Sequence, residues 1–388
     1  MHILMVHPHD LYSPLEPWTI RIKKLAFEFI ERGHSVTLVY FPLHHRDANR
    51  KFMEGALEVI ALDRRLGASV LLRNILRMIT LAARADIIHF QKCYYYAALP
   101  ALVASWVQNK PVHYDWDDWE TRIFYYSNQK QKIVGEFLNI FERLLPKVVD
   151  SVSVASARLH GLALQRGVSP DNIFAAPVGA DLDAFNPHAV DQYRGTIKRE
   201  YGISQYLVLY VGQLHGGQYV ELFIHTACHI LNARRDVMFM IIGDGYRLEE
   251  LRSLTKMLGV SGHFIFTGHV SHDEIPRYLA DADVCVACFE DNDITRCKSP
   301  LKIVEYLACG NAIVASNVGE VRNMVGGVGV LVPPGDAPAL ANGTMLLLGD
   351  KKLRDALGKG AMQRSRIKYN WAATAKNLLK AYHVVARA

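Results

Sequence analysis

The densest chemistry lies between His113 and Glu120, which reads His-Tyr-Asp-Trp-Asp-Asp-Trp-Glu. Asp117 and Asp118 are the candidate catalytic pair. A carboxylate there can orient a hydroxyl, accept its proton, or stabilise positive charge growing in a transition state. The Asp-x-Asp formed by Asp115 and Asp117 also suits a divalent metal, and a helix cap with solvated acids is the plain structural alternative. A second group follows the first apolar run: His7, His9 and Asp10, with Trp18 further along. These side chains suit contacts to an acceptor molecule, although a single histidine in such a loop is often only structural.

Three further stretches suit anions and hydroxyls. Gly212-Gln213-Leu214-His215-Gly216-Gly217-Gln218 lies between an apolar run and a helical one. Glycines there let the backbone approach a ligand, and successive N–H groups can cradle a phosphate; a tight turn is the alternative. Gly243-Asp244-Gly245 joins a strand to a helix in the same way. In Ser299-Pro300-Leu301-Lys302, Ser299 reads as an N-cap and Pro300 as the first helical residue, with Gly310 closing the helix. The start of that helix offers bare N–H groups and a positive dipole end. Glu305 follows, where a carboxylate can accept hydrogen bonds from sugar hydroxyls or simply face solvent.

These residues need elements to hold them. Apolar runs end at Val6, Tyr40, Phe90, Tyr114 and Val154, with helical stretches between. Over 21–32, Ile22, Leu25, Ala26, Phe29 and Ile30 share one face, and Gly33 follows as a C-cap. The second half repeats the plan, with strands expected over 207–211, 237–242, 263–267, 284–288, 312–316 and 328–332. Alternation of this kind predicts an α/β protein with parallel sheets. The polar stretch 187–202 is the expected connection between domains 1–190 and 191–370. Ligands of such sheets bind at the carboxyl ends of the strands, where the loops above lie.

Composition narrows the class. The chain has 388 residues, 50% hydrophobic and 21% charged, with a net charge of +6. That length suits two domains, and the mild positive charge suits phosphates or a membrane surface without singling out nucleic acid. Met1 runs straight into a strand-like segment, and no apolar run is long enough to span a bilayer, so a cytoplasmic protein is expected. The six cysteines include Cys285-x-x-Cys288, which on a strand would point to opposite faces rather than hold a metal. From Arg64 to Arg84 there are five arginines and no acid. Arg73, Arg77 and Arg84 would share one helical face, which suits either contact with the inner face of a membrane or a core-facing helix with a solvated basic edge.

In order, the chain carries Tyr-Val-Gly-Gln-Leu near 210, Ile-Ile-Gly-Asp-Gly near 243, Phe-Thr-Gly-His-Val near 268 and Ser-Pro-Leu-Lys-Ile-Val-Glu-Tyr-Leu-Ala-Cys-Gly at 299–310. This ordered set resembles the retaining glycosyltransferases of family 4, and the resemblance spans almost the whole chain. It implies the GT-B fold: two Rossmann-like doubly wound domains facing a central cleft, with a last helix from about 371 to 388, beginning at Trp371, crossing back to the first. It implies transfer of a sugar from a nucleoside-diphosphate sugar to a glycan or lipid-linked hydroxyl, with retention and without a metal cofactor. By the same resemblance Glu305 binds the donor ribose. Gly268, His269 and Val270 meet the base, and the N–H groups of Leu301 and Lys302 meet the diphosphate. Asp117 and Asp118 align with a His and an Asp of the family. The chain also departs from the family. Gln213 and Gln218 stand where it usually has an Arg and a Lys, and Cys297 where it tends to have a Glu. Backbone at Gly216 and Gly217, Arg296, Lys298 and Lys302 are the available substitutes. A non-catalytic GT-B relative and a sugar-nucleotide epimerase are the rival readings.

Overall fold

The computed structural model describes residues 1–13, 16, 19–127, 131–215 and 219–385. Contacts divide the chain into two units. The first holds Met1–Val178, Cys297–Ser299 and Trp371–Ala388, and the second Gly179–Arg296 and Pro300–Asn370. The division falls at Val178, before the polar stretch 187–202, whose helices Pro187–Asp191 and Thr196–Glu200 belong to the second unit.

The first unit contains β1 (His2–His7), β2 (Ser35–Tyr40), β3 (Lys51–Glu54), β4 (Leu57–Ala61), β5 (Ile87–Gln91), β6 (Val112–Trp116), β7 (Ser151–Val154) and β8 (Ile173–Ala175). They form one sheet in the order β3-β4-β2-β1-β5-β6-β7-β8, parallel except for the β3–β4 pair. The sequence reading missed β3, β4 and β8. Lys51–Glu54 is a polar edge strand, and β8 has only three residues.

The chain winds outward from β1 in both directions, so the strand order reverses between β1 and β5. One sheet face is covered by the helices Ala68–Ala82, Tyr95–Gln108, Lys132–Val148 and Ala157–Gln165, which share a core with Val6, Phe90, Tyr114 and Val154. Elsewhere in the unit, the helices Ile20–Glu31 and Trp371–Val385 meet through Phe29 and Tyr382, whose rings lie 5.6 Å apart. The first of these ends as expected: Gly33 takes φ 80° and its N–H bonds the Ile30 carbonyl at 2.9 Å.

The second unit contains β9 (Tyr206–Val211), β10 (Val237–Ile242), β11 (Phe264–Gly268), β12 (Val284–Ala287), β13 (Ile313–Ser316) and β14 (Val330–Val332). All six expected strands are present, in the parallel order β11-β10-β9-β12-β13-β14. This is the doubly wound order of a dinucleotide-binding fold, with its switch point between β9 and β12. Both units therefore have the α/β architecture expected.

Candidate functional site

In each unit the candidate residues collect where the strand order reverses. In the first unit, β1, β5 and β6 deliver three loops to one end of the sheet. His7 closes β1 and is fully buried. Its Nδ1 lies 2.8 Å from Gln91 Oε1, and Gln91 Nε2 donates to Asp117 Oδ2 at 2.7 Å. This assignment of the Gln91 amide makes His7 Nδ1 the donor and leaves Nε2 as an acceptor. Nε2 is buried with no hydrogen-bond partner, and burial holds the imidazole neutral, its pKa well below the usual value.

Lys92, one residue past β5, was not anticipated. It is 4% exposed and takes φ 65°, a left-handed backbone rare for a residue with a side chain. Its ammonium sits among three carboxylates: 3.3 Å from Asp117, 4.0 Å from Asp118, and bonded to Glu120. Strain of this kind persists where surrounding interactions over-determine it, and the carboxylate cluster does so here. Burial raises the pKa of both aspartates, Asp118 to about 7, while Lys92 opposes the shift. Asp118 is 30% exposed, so water tempers its shift. Lys298 lies within electrostatic reach of Asp118 and Glu120.

Two neighbouring acids hold structure instead. Asp115 is gripped by Arg21 through two bonds of 2.8 Å and accepts from Ser153 Oγ at 2.6 Å, which holds it ionised. Its oxygens are therefore spent, and the Asp-x-Asp does not present two open carboxylates. Among the described residues no group of three or more His, Cys, Asp and Glu is placed to hold a metal ion. Glu142, fully buried, accepts from Trp116 Nε1, the N–H groups of Glu120 and Thr121, and Thr121 Oγ1. It thus caps the helix Glu120–Ser127 from outside, while burial pushes its pKa up to about 7.

Of the remaining acceptor-side candidates, His9 Nδ1 pairs with Glu16 at 2.9 Å. Asp10 accepts from the N–H groups of Tyr12 and Leu43, each at 3.0 Å, and so braces the loop. Trp18 lies outside the described residues.

In the second unit, the loops after β9, β10 and β11 are stitched together by backbone bonds. Gly212 N–H donates to Ile242 at 2.9 Å, Leu214 to Asp244 at 2.9 Å, and Gly243 to Gly268 at 3.0 Å. Gly243 takes φ 141°, and a Cβ there would overlap the Gly212 carbonyl, so only glycine permits this approach. Gln213 Oε1 lies 3.1 Å from His215 Nε2, and Asp244 Oδ1 accepts from Gly245. Gly216, Gly217 and Gln218 lie outside the described residues. His269 is exposed beside Gly268, and Val270 is partly buried.

The helix Leu301–Cys309 begins one residue later than expected. Pro300 is its N-cap, in an extended conformation, and no side chain caps it. The expected cap, Ser299, groups with the first unit and accepts from Val178 N–H at 3.2 Å. With its tertiary nitrogen and fixed φ, Pro300 ends the preceding segment without any side-chain cap. Tyr306 Oη accepts from Val211 N–H at 3.0 Å and ties this helix to the end of β9. Lys302 lays its ammonium over the Tyr210 ring, 3.9 Å from the centroid, next to Gly212. Glu305 is 3% exposed and bonds His272 Nε2 at 2.6 Å.

Of the other substitute groups, Arg296 forks onto Asp291, and Lys298 and Cys297 group with the first unit. Of the three substitute cations, Lys302 is thus the one placed at the described loops of the second unit. Gln91, Lys92, Glu142, Tyr306 and His272 are among the residues that sequence reasoning missed.

Two family models match the chain: a glycosyl transferase 4-like domain over residues 19–179 and glycosyl transferases group 1 over 205–350. The alpha-D-kanosaminyltransferase of Streptomyces kanamyceticus is 27% identical over 208 residues, 52% of each chain. The chain spans about half the length of the curated relatives it matches. Among solved structures, sucrose-phosphate synthase from Thermosynechococcus elongatus superposes with a TM-score of 0.74 at 19% identity, covering 99% of this chain and 98% of that one. HepE from Anabaena in complex with UDP-glucose also gives 0.74, at 16% identity, over 99% of this chain and 100% of that one. Between them the two models cover most of the chain, and the fold is shared from end to end. The chain belongs to the group 1 glycosyltransferases of the family 4 type, with the GT-B fold.

Proposed function

We propose that the chain transfers a sugar from a nucleoside-diphosphate sugar to a hydroxyl of a glycan or lipid-linked glycan, with retention at the anomeric carbon and without a metal. The observation that carries this reading is in the second unit. Three stitched glycine loops, an uncapped helix start, Lys302 and buried Glu305 meet at one sheet end. Backbone N–H groups at Leu301 and Lys302, with the Lys302 ammonium, take the diphosphate. Glu305, oriented by His272, takes the ribose hydroxyls, and the loop at Gly268, His269 and Val270 takes the base. Gln213 and Gln218 contribute neutral contacts where relatives carry charge.

The bond from the anomeric carbon to the diphosphate oxygen breaks, and the acceptor oxygen forms its bond to the same carbon. The diphosphate departs with the electron pair, stabilised by positive charge and N–H groups. On the acceptor side, Asp117 orients the hydroxyl and accepts its proton as the O–C bond forms, Asp118 supports the local charge, and His7 Nε2 is a second proton acceptor. The reading includes a peripheral membrane contact through 64–84 at the inner face of a membrane, where a lipid-linked acceptor would lie.

A thermal-shift panel of UDP, GDP, ADP and dTDP, with and without EDTA, tests the donor site. UDP comes first because HepE, of the same fold, is solved with UDP-glucose. A nucleotide that binds only the folded chain raises its melting temperature, by an amount equivalent to about 2.7 kcal/mol at one hundred times Kd. A shift with one nucleotide that EDTA leaves in place is the expected result. No shift with any of them refutes the donor site and favours a non-catalytic role, for which the glutamines at 213 and 218 are the supporting observation.

A further inference from the structure

We propose that the outward face of the helix Lys132–Val148 docks on an anionic lipid surface. The helix packs inward through Leu138, Glu142 and Leu145. The opposite side of an ordinary surface helix is polar. Here it is apolar: Ile133, Phe137, Ile140, Leu144 and Val148 recur at steps of three and four, and all are exposed, Ile133 by 88%. They form one stripe of about 22 Å, at about 1.5 Å per residue. Scattered exposed leucines need no explanation, but a contiguous stripe does.

Charge decides the occupant. Lys132, Arg143 and Lys147 lie along one flank of the stripe and are exposed, and none is ion-paired among the described residues. Glu136 is the acid on that flank, and it accepts from the Tyr125 hydroxyl at 2.5 Å. An apolar stripe with a basic flank is the pattern of a helix lying in the plane of an anionic membrane, its apolar side chains at the acyl boundary and its cations among headgroups. A second copy of the chain fits less well. Antiparallel two-fold pairing would set each flank against itself, basic against basic.

The contact continues onto the next helix of the same sheet face. Tyr95, at the start of Tyr95–Gln108, places its ring 5.6 Å from that of Phe137, and Trp106 near the helix end is 84% exposed. This inference rests on the proposed function's reading of a membrane-side acceptor, but it places the contact on Lys132–Val148 in place of 64–84. Arg64, Arg65 and Arg84 bond Glu16, Asp63 and Glu58 of their own unit, and Arg84 lies beyond the helix that ends at Ala82.

Flotation of the full chain with phosphatidylcholine vesicles, with and without phosphatidylglycerol, tests it. The wild type is expected to float with the anionic vesicles only. The double variant Ile133→Asp/Ile140→Asp is expected to lose at least about tenfold in partitioning, with an unchanged melting temperature because both positions are exposed. Arg143→Gln and Lys147→Gln are each expected to lose about fivefold. Wild-type flotation by the Ile133→Asp/Ile140→Asp chain overturns the proposal. So does loss of flotation in Leu72→Asp/Leu76→Asp alone, which would leave the contact at 64–84 standing. A concentration-dependent dimer abolished by Ile133→Asp/Ile140→Asp, without flotation, assigns the face to a second copy instead. Nucleotide binding, followed by thermal shift, stays unchanged in all of these variants, which separates this proposal from the reading of the donor site.

Discussion

Lys92→Met removes the cation that faces Asp117, Asp118 and Glu120. At distances of 3.3 and 4.0 Å, the attractions to Asp117 and Asp118 are about 5 and about 4 kcal/mol at an effective dielectric constant of about 20. Desolvation of the ammonium offsets much of this, and deleting one partner of a buried pair costs about 3–5 kcal/mol. That cost depends on pH with a definite sign. Both aspartates already have folded pKa values above their unfolded ones, and loss of Lys92 raises them further. An acid whose pKa is raised on folding contributes stability that is complete below its unfolded pKa and is lost as pH rises through the folded one. The variant should therefore lie about 3–5 kcal/mol below wild type at pH 8 and closer to it at pH 5. Urea unfolding of both proteins at the two pH values measures the gap. Sugar transfer by the variant should also recover only at higher pH than in the wild type, and Lys92→Arg should restore part of both. A gap equal at pH 5 and pH 8, with an unmoved activity profile, would refute the electrostatic role and leave Lys92 as a packing residue.

Glu142→Gln should cost about 2 kcal/mol, because an amide NH2 replaces one oxygen that now accepts two bonds from Thr121. Glu142 has a folded pKa of about 7, so its stabilising protonated form is lost as pH rises through that value, and the gap to the variant should narrow from pH 5 to pH 8 in urea melts. Gly243→Ala should unfold the second unit or leave it insoluble, since a Cβ meets the Gly212 carbonyl, whereas Gly33→Ala, with φ 80° and open space, should cost about 1 kcal/mol in thermal melts. Glu305→Ala should weaken nucleotide binding about tenfold to hundredfold by calorimetry while the chain stays folded, because Tyr306 still anchors the helix to β9; unchanged affinity would break the assignment of Glu305 to the ribose.

The sequence reveals most where burial is symmetrical. Parallel strands covered on both faces read as apolar runs, so β9–β14 were legible, and glycines between a strand and a helix marked the loops that the structure stitches together. The β3–β4 hairpin was not, because Lys51–Glu54 is a polar edge strand that shows no such run. Ser299 was misread because Ser-Pro before a helical pattern suggests a cap, while the actual partner of its hydroxyl is Val178, far away in sequence. Lys92 was missed for a similar reason. Nothing in Phe-Gln-Lys-Cys-Tyr marks a buried lysine, and the acids that compensate it are about 25 residues downstream, on the loop after the neighbouring strand. The one available signal was that Lys92 follows β5 directly, level with the acids after β6. Glu142 left a clearer trace, as a carboxylate on the buried stripe between Leu138 and Leu145.

The polar centre of the first unit has a consequence for the order of synthesis. His89, His113, Asp115, Ser151 and Ser153 sit fully buried on neighbouring strands, and the hydroxyl of Tyr382 reaches His89 Nδ1 at 2.7 Å. Thr374 Oγ1 likewise donates to the Pro177 carbonyl. Residues up to 178 leave the ribosome long before 371–385 are made. Until then the His89 imidazole lacks its Tyr382 partner, and the face that Phe29 shares with Tyr382 is uncovered. The first unit is thus begun before the second and completed after it, so its stability depends on a segment beyond the second unit and not only on the one that supplies most of it.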